Sequence, residues 1–340
     1  MFYLYGMFHT LSLAPFRGIT NKYYRQALHK HIGGYDTYYA PFITGCGHQQ
    51  IHPSKLNDLL PYDEVQALTV PQVLSNDARE IIALAQAVSN AEYKKLNWNL
   101  GCPFRRITHK KRGSGLLPFP GTIKKILNDL FQDEVFASGE IRLSVKTRTG
   151  YDSPDEVNEV VKVFNAFPLD EIILHPRTGV QLYSGRAAPE RYAAVKKDCR
   201  HPLTYNGDIV TRQAFLELQE MIPGQRAWML GRGALINPFL AHELRGVHIP
   251  EKEKRHMLAA FHQSLWEHAQ ENIPGEHRQT GWMKAIWHYM SGMFADNENV
   301  FSGIKKSYNK EHFMAAVNQA FQQPFASDEE ISIHFQRLTR

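Results

Sequence analysis

Eight short apolar runs, separated by stretches of helical periodicity, recur between about residue 10 and residue 245. This alternation constrains the fold more than any other feature of the chain. The runs are Leu11–Phe16, Thr37–Ile43, Val65–Leu74, Leu96–Leu100, Ile141–Lys146, Glu171–His175, Leu203–Asn206 and Ala227–Leu230. Each contains Ile, Leu, Val or aromatic residues, and most are followed closely by Gly, Pro, Asn or Ser. Strands spaced by helical segments build β-α units and a parallel sheet. Eight of them over roughly 235 residues match a (β/α)8 TIM barrel.

The intervening helices carry their own signals. Ser153-Pro154-Asp155-Glu156 supplies an N-cap, a proline at the first helical position and a capping-box glutamate, ahead of Val157, Val160, Val161 and Phe164. Asn76 is read as the cap of a helix whose apolar face is Ala78, Ile81, Ile82, Ala85 and Val88. The stretch from Thr37 to Tyr62 is the least regular. Beyond Pro250 the strand-like runs stop, and helical segments are expected at about 252–272, 278–294, 308–322 and 327–338. The expected organisation is a barrel over residues 1–245 and a small helical domain over 246–340, with no internal repeat.

Composition removes several classes. Of the 340 residues, 43% are hydrophobic and 21% charged, which excludes a disordered chain, a collagen-like fibre and a coiled coil. Cys46, Cys102 and Cys199 form no C-x-x-C pair, so neither a disulfide scaffold nor a Cys-rich zinc site is expected. Three scattered cysteines fit a reducing compartment. Met1–Phe16 is uncharged and apolar but too short to span a bilayer, and it lacks a basic leader. Its second half reads as a buried strand; Met7 is an alternative start that would leave six residues as a loose extension. The net charge of +5 permits an anionic partner without requiring one.

In such a barrel the C-terminal ends of the strands converge on one mouth. The polar residues at those ends are Arg17, Gln72, Asn99, Cys102, Lys146, Arg148, His175, Arg177, Asn206, Asp208 and Arg232. Lys146 and His175 suit the electron-rich pyrimidine edge of a flavin, and Gln72 its imide side. A buried ion pair and a satisfied core histidine are the plainer alternatives. Asn206-Gly207-Asp208 and Gly231-Arg232-Gly233 fall where barrels often bind phosphate, or are simply two tight turns. Cys102, in Asn99-Leu100-Gly101-Cys102-Pro103, is either a structural thiol or a nucleophile or proton donor. Cys46 and Cys199 receive no role. The stretch Arg105, Arg106, Lys110, Lys111, Arg112 places five cations in eight residues ahead of Gly113-Ser114-Gly115. It reads as a solvated face, or as a mobile lid facing a phosphate-rich substrate.

These motifs together resemble the tRNA-dihydrouridine synthase family. The resemblance runs through Ala14-Pro15-Phe16-Arg17-Gly18, Asn99-Leu100-Gly101-Cys102-Pro103 and Val145-Lys146-Thr147-Arg148-Thr149-Gly150. It continues through His175-Pro176-Arg177-Thr178, Asn206-Gly207-Asp208 and Gly231-Arg232-Gly233, and covers about residues 11–240. It implies an FMN-bound barrel that reduces the C5–C6 bond of uridine in tRNA, with NADPH as electron donor. On this resemblance Cys102 protonates C5. Pro15, Phe16, Arg17, Gln72, Asn99, Lys146 and His175 would hold the flavin ring, and Asn206, Gly207, Asp208, Gly231 and Arg232 its phosphate end. Arg105, Arg106, Lys110, Lys111, Arg112, Arg148 and Arg177 would meet the RNA. Phe16, Asn97-Trp98, Arg105-Arg106 and Pro176 depart from the usual family residues, and none of these removes a reacting group. The expected protein is cytoplasmic and monomeric, without metal or membrane. A small-molecule FMN barrel, similar to dihydroorotate dehydrogenase, is the alternative.

Overall fold

The structure, a computed structural model, describes residues 9–47, 51–60 and 64–338. The expected loose extension before Met7 lies outside them. The strands are β1 (Thr10–Leu13), β2 (Thr37–Tyr39), β3 (Thr69–Val70), β4 (Gln72–Val73), β5 (Lys95–Leu100), β6 (Arg142–Gly150), β7 (Glu171–Thr178), β8 (Leu203–Tyr205) and β9 (Ala227–Leu230). They follow the order β3-β2-β1-β9-β8-β7-β6-β5-β4 in one sheet. The pairings of β2 with β3, and of β4 through β9, are parallel. With helical segments between successive strands except β3 and β4, which are separated only by Pro71 and together stand for one expected run, this is the (β/α)8 barrel that the alternation of runs predicts.

The chain divides into two compact units. One comprises residues 37–207 and 218–229. Its core is built by strand residues such as Leu96, Trp98, Leu100, Leu143, Val145 and Ile172 against the helices Ala78–Asn90, Pro120–Gln132 and Glu156–Phe164. The other comprises residues 1–36, 208–217 and 230–340. Within it, helices Glu251–Asn272, Glu276–Met290, Asn297–Lys306, Lys310–Ala320 and Asp328–Arg337 follow one another. Trp287, Phe294, Phe313 and Phe321 pack there with the imidazole of His262. Burial pushes the pKa of His262 down to about 4, so this ring is a neutral core member.

Three local expectations are corrected. The run Val65–Leu74 is not one strand but a helix, Glu64–Ala67, then β3 and β4 on either side of Pro71. Proline lacks the N–H that a continuous ladder requires. Asn76 is not the cap of the following helix; Asp77 accepts from the Arg79 N–H, and Asn76 receives the Arg112 Nε–H instead. The helix after β6 begins at Glu156, yet half of the expected capping box is present, because the Glu156 carboxylate accepts from the Ser153 N–H at 3.0 Å. The helix Asn297–Lys306 was not anticipated; Asp296, at φ 55°, turns the chain into it.

Candidate active site

The inward face of β5 decides the geometry of the first unit's mouth. Side chains two residues apart in a strand share a face, so Asn97 and Asn99 point the same way, opposite Gln72 of β4 and Ser144 and Lys146 of β6 in the ladder. They form a chain of amides. Gln72 Nε2 donates to Asn97 Oδ1 at 2.7 Å, Asn97 Nδ2 to Ser144 Oγ at 2.8 Å, and Asn99 Nδ2 to Gln72 Oε1 at 2.7 Å. The other end of Asn99 turns the backbone: Oδ1 accepts from the N–H of Gly101 at 3.0 Å and of Cys102 at 2.9 Å. The cysteine is thereby fixed to the strand end. Asn97 and Ser144 were missed by sequence reasoning; their signal was the two-residue spacing from Asn99 and Lys146.

Cys102 is 7% exposed. Its carbonyl accepts from both the N–H and the Oγ–H of Ser114, at 3.0 and 3.1 Å. Gly113, at φ +58°, has no room for a side chain, since a Cβ there would lie 2.5 Å from the Cys102 oxygen. Gly113, Ser114 and Gly115, which follow the stretch read as a solvated face or a mobile lid, are all buried, and the glycines serve close packing.

Lys146 is half-buried, and its Nζ donates to Asn206 Oδ1 at 2.8 Å. Asn206 is held in turn by its Nδ2, which donates to the Met229 carbonyl at 2.8 Å. Burial, reinforced by the Arg148 guanidinium, lowers the Lys146 pKa to about 7, and the Cys102 side chain opposes this. No carboxylate forms an ion pair with Lys146 among the described residues. Asn206, expected at a phosphate, is thus the residue that orients Lys146.

Arg148 and Arg177 were expected to face RNA. Both are instead turned inward, at 2% and 1% exposure, because β6 and β7 carry them on the same face as Lys146 and His175. Arg148 donates to the carbonyls of Gly101 (3.0 Å), Thr178 (2.7 Å) and Leu182 (2.6 Å), and lies over the Tyr183 ring. It fastens the peptide before Cys102 to the loop after β7. Arg148→Met is expected to strand these carbonyls and cost about 2–3 kcal/mol. Urea denaturation of the two proteins checks this, and equal midpoints would show that Arg148 braces nothing.

Arg112 is likewise occupied, by Asn76, Thr44 and Glu80. Arg105, Arg106, Lys110 and Lys111 are exposed, the first two on a short helix, Arg105–Thr108. The surface cations of this segment are these four, and Arg112 is a brace beneath them.

In the second unit, Arg232 pairs with Asp208 at 3.4 Å and lies over the Phe335 ring. Asp208, at φ 48°, points its carboxylate at an arginine, so its evident role there is to hold Arg232. The Phe16 N–H is taken by Thr20 Oγ1 at 2.7 Å, Pro15 has no N–H, and Arg17 is exposed. Cys46 and Cys199 are free thiols like Cys102. Among the described residues no group of three or more His, Cys, Asp or Glu could hold a metal ion, and no helix is long and apolar enough to cross a membrane.

Comparison with known proteins agrees with this frame. A family model described as Dihydrouridine synthase (Dus) matches residues 12–327. The tRNA-dihydrouridine synthase B of Pasteurella multocida is 30% identical over 240 residues, 69% of each chain. The protein of that name from Escherichia coli K12 is 27% identical over 246 residues, 71% of this chain and 73% of that one. Among solved structures, histamine dehydrogenase from Rhizobium sp. 4-9 matches with a TM-score of 0.53 at 10% identity. It covers 75% of this chain and 48% of that one, a likeness of fold alone. The family match spans the helical tail as well as the barrel, which leaves the small-molecule alternative unsupported: the chain belongs to the dihydrouridine synthase family.

Proposed function

We propose that this protein reduces the C5–C6 bond of uridine in tRNA, with FMN as cofactor and NADPH as electron source, and that Cys102 is the proton donor. The observation that carries the reading is the placement of Cys102. Its peptide is held by Asn99 and Ser114 at the end of β5, and its side chain is electrically coupled to Lys146.

The donor set fits a flavin. Lys146 has three N–H groups and gives one to Asn206; Gln72 and Asn99 each keep an amide N–H beyond those that link them. A half-buried ammonium without a carboxylate suits an electron-rich ring edge. Lys146, His175, Gln72 and Asn99 are the residues to hold the ring. FMN, when bound, supplies the hydride that adds to uridine C6.

Negative charge then builds across C5 and O4, and the Cys102 S–H gives its proton to C5. The pair of electrons left on sulfur makes a thiolate, in the field of Lys146. Asn99 and Ser114 keep the sulfur in register while this happens, and Arg148 keeps the two flanking loops together. The base must leave its stack to reach the thiol. The four exposed cations of residues 105–111, together with residues 246–340, are proposed to hold the tRNA while it does so.

The test is an unmodified tRNA transcript incubated with protein, FMN and NADPH. The expected product is dihydrouridine, a gain of two hydrogens on one or more uridines by mass spectrometry. NADPH oxidation with an unchanged transcript would overturn the substrate. The charge reading has its own check. Lys110→Ser combined with Lys111→Ser is expected to weaken tRNA binding and to flatten the plot of log affinity against log salt by roughly 1.5 to 2. An unchanged slope would remove this loop from the RNA. Arg112→Met is expected to act through stability, because its partners are Glu80, Asn76 and Thr44.

A further inference from the structure

We propose that Arg177 is a positioning residue for His175, fixing the imidazole as the uncharged tautomer that carries its proton on Nδ1. The inference deepens the flavin reading, on which it rests for the identity of the ligand; the tautomer itself follows from geometry within one unit.

His175 and Arg177 stand two residues apart on β7 and so share its inward face. Both are buried. Arg177 Nη1 lies 3.1 Å from His175 Nε2. A guanidinium has five N–H donors, no acceptor, and keeps its charge in proteins. The bond between them therefore runs one way only: Arg177 donates, and Nε2 accepts with its lone pair. A neutral imidazole that accepts at Nε2 carries its hydrogen at Nδ1. A proton on Nε2 would set two N–H groups against each other in a buried place, and a doubly protonated ring would add a second positive charge beside the guanidinium.

Two further observations make this a built arrangement. Arg177 is anchored from behind, since Nη2 donates to the Gly185 carbonyl at 2.6 Å, and Gly185 sits at φ +63°, a backbone conformation that favours glycine. The same loop is tied down by Arg148 through Leu182. The imidazole is also backed by Gly207, where a Cβ would come 3.5 Å from His175 Cδ2, 3.3 Å from the Tyr205 hydroxyl and 3.0 Å from the Ala187 Cβ. One edge of the ring rests on that backbone and one nitrogen is held by Arg177. In this tautomer the ring is uncharged and carries its N–H at Nδ1.

The experiment is long-range 15N–1H correlation on full-length protein with labelled histidine, at pH 7, with and without FMN. The His175 signals are assigned by their loss in His175→Gln. The expected spectrum has an unprotonated Nε2 and a protonated Nδ1. Arg177→Met is expected to move the ring to the Nε2–H form that ordinary histidine prefers, and Arg177→Lys, which restores a donor, to move it back. A protonated Nε2 in the unsubstituted protein, or an unchanged tautomer in folded Arg177→Met, would overturn the proposal. Should Arg177→Met fail to fold, the spectrum of the unsubstituted protein decides alone. A protein with the expected tautomer that leaves tRNA unreduced would sink the proposed function and leave this inference standing.

Discussion

Cys102→Ser is expected to lower single-turnover uridine reduction by about 10²–10⁴-fold while leaving FMN bound. The reasoning rests on what the substitution keeps. A serine hydroxyl occupies nearly the same space, so the two N–H bonds to Asn99 Oδ1 and the two Ser114 bonds to the carbonyl of residue 102 persist. What changes is acidity. A thiol ionises near pH 8.5 in the open, within reach of neutral chemistry, whereas an aliphatic hydroxyl is far too weak an acid to protonate C5 at a comparable rate. The loss should therefore appear in the reaction rate with tRNA, not in flavin content or in flavin reduction by NADPH. Flavin absorbance and rapid-quench dihydrouridine analysis separate the two. Full turnover in the serine protein would mean that another acid reaches C5.

Lys146→Met should produce the opposite pairing, a more stable flavin-free protein that has lost its activity. Folding moves the ammonium from an ordinary pKa of 10.5 to about 7. Between these values the unfolded chain binds more protons than the folded one, so the unsubstituted protein gains stability as pH rises from 7 to 10.5. Below pH 7 the penalty is complete and constant. Because part of the side chain meets solvent, its size is on the order of 2 kcal/mol, well short of the full linkage value. Methionine fills similar space and removes that penalty, but it strands Asn206 Oδ1 at a cost of about 1 kcal/mol. The net gain is about 1 kcal/mol at pH 7, and it shrinks and reverses as pH approaches 10.5. Urea midpoints of flavin-free protein at pH 7 and pH 10 test the sign. A variant less stable at pH 7 would show that the ammonium is not strained.

The barrel was legible because period and spacing are properties of the chain itself. The same logic failed at Val65–Leu74, where a continuous apolar run fits a helix turn as readily as a strand, and Pro71 settles the matter only once neighbours are known. For the candidate site, residue type and strand position named Gln72, Asn99, Cys102, Lys146 and Asn206, which hydrogen bonds join in two groups, Gln72–Asn99–Cys102 and Lys146–Asn206. Type and position were not enough to say which way an arginine points. A guanidinium at a strand end looks the same in sequence whether it meets a phosphate or three carbonyls, and Arg112, Arg148 and Arg177 all proved to be internal. Their partners, among them Glu80, Leu182 and Gly185, are distant enough in sequence, or loop-like enough, that nothing in the spacing announces the contact. The glycines after the basic stretch are ambiguous for a related reason: freedom of the unfolded backbone and need for close approach leave the same letter in the chain.

That close approach has a mechanical side. The turn at Gly113 rests on the carbonyl of Cys102 with no slack for even a methyl group, and Ser114 is bonded to the same oxygen. Lys110 and Lys111 lie two to three residues before this turn. Under the proposed function, a polyanion held by these lysines would be joined through one closely packed turn to the peptide of Cys102, so that docking and proton delivery would share a single rigid part.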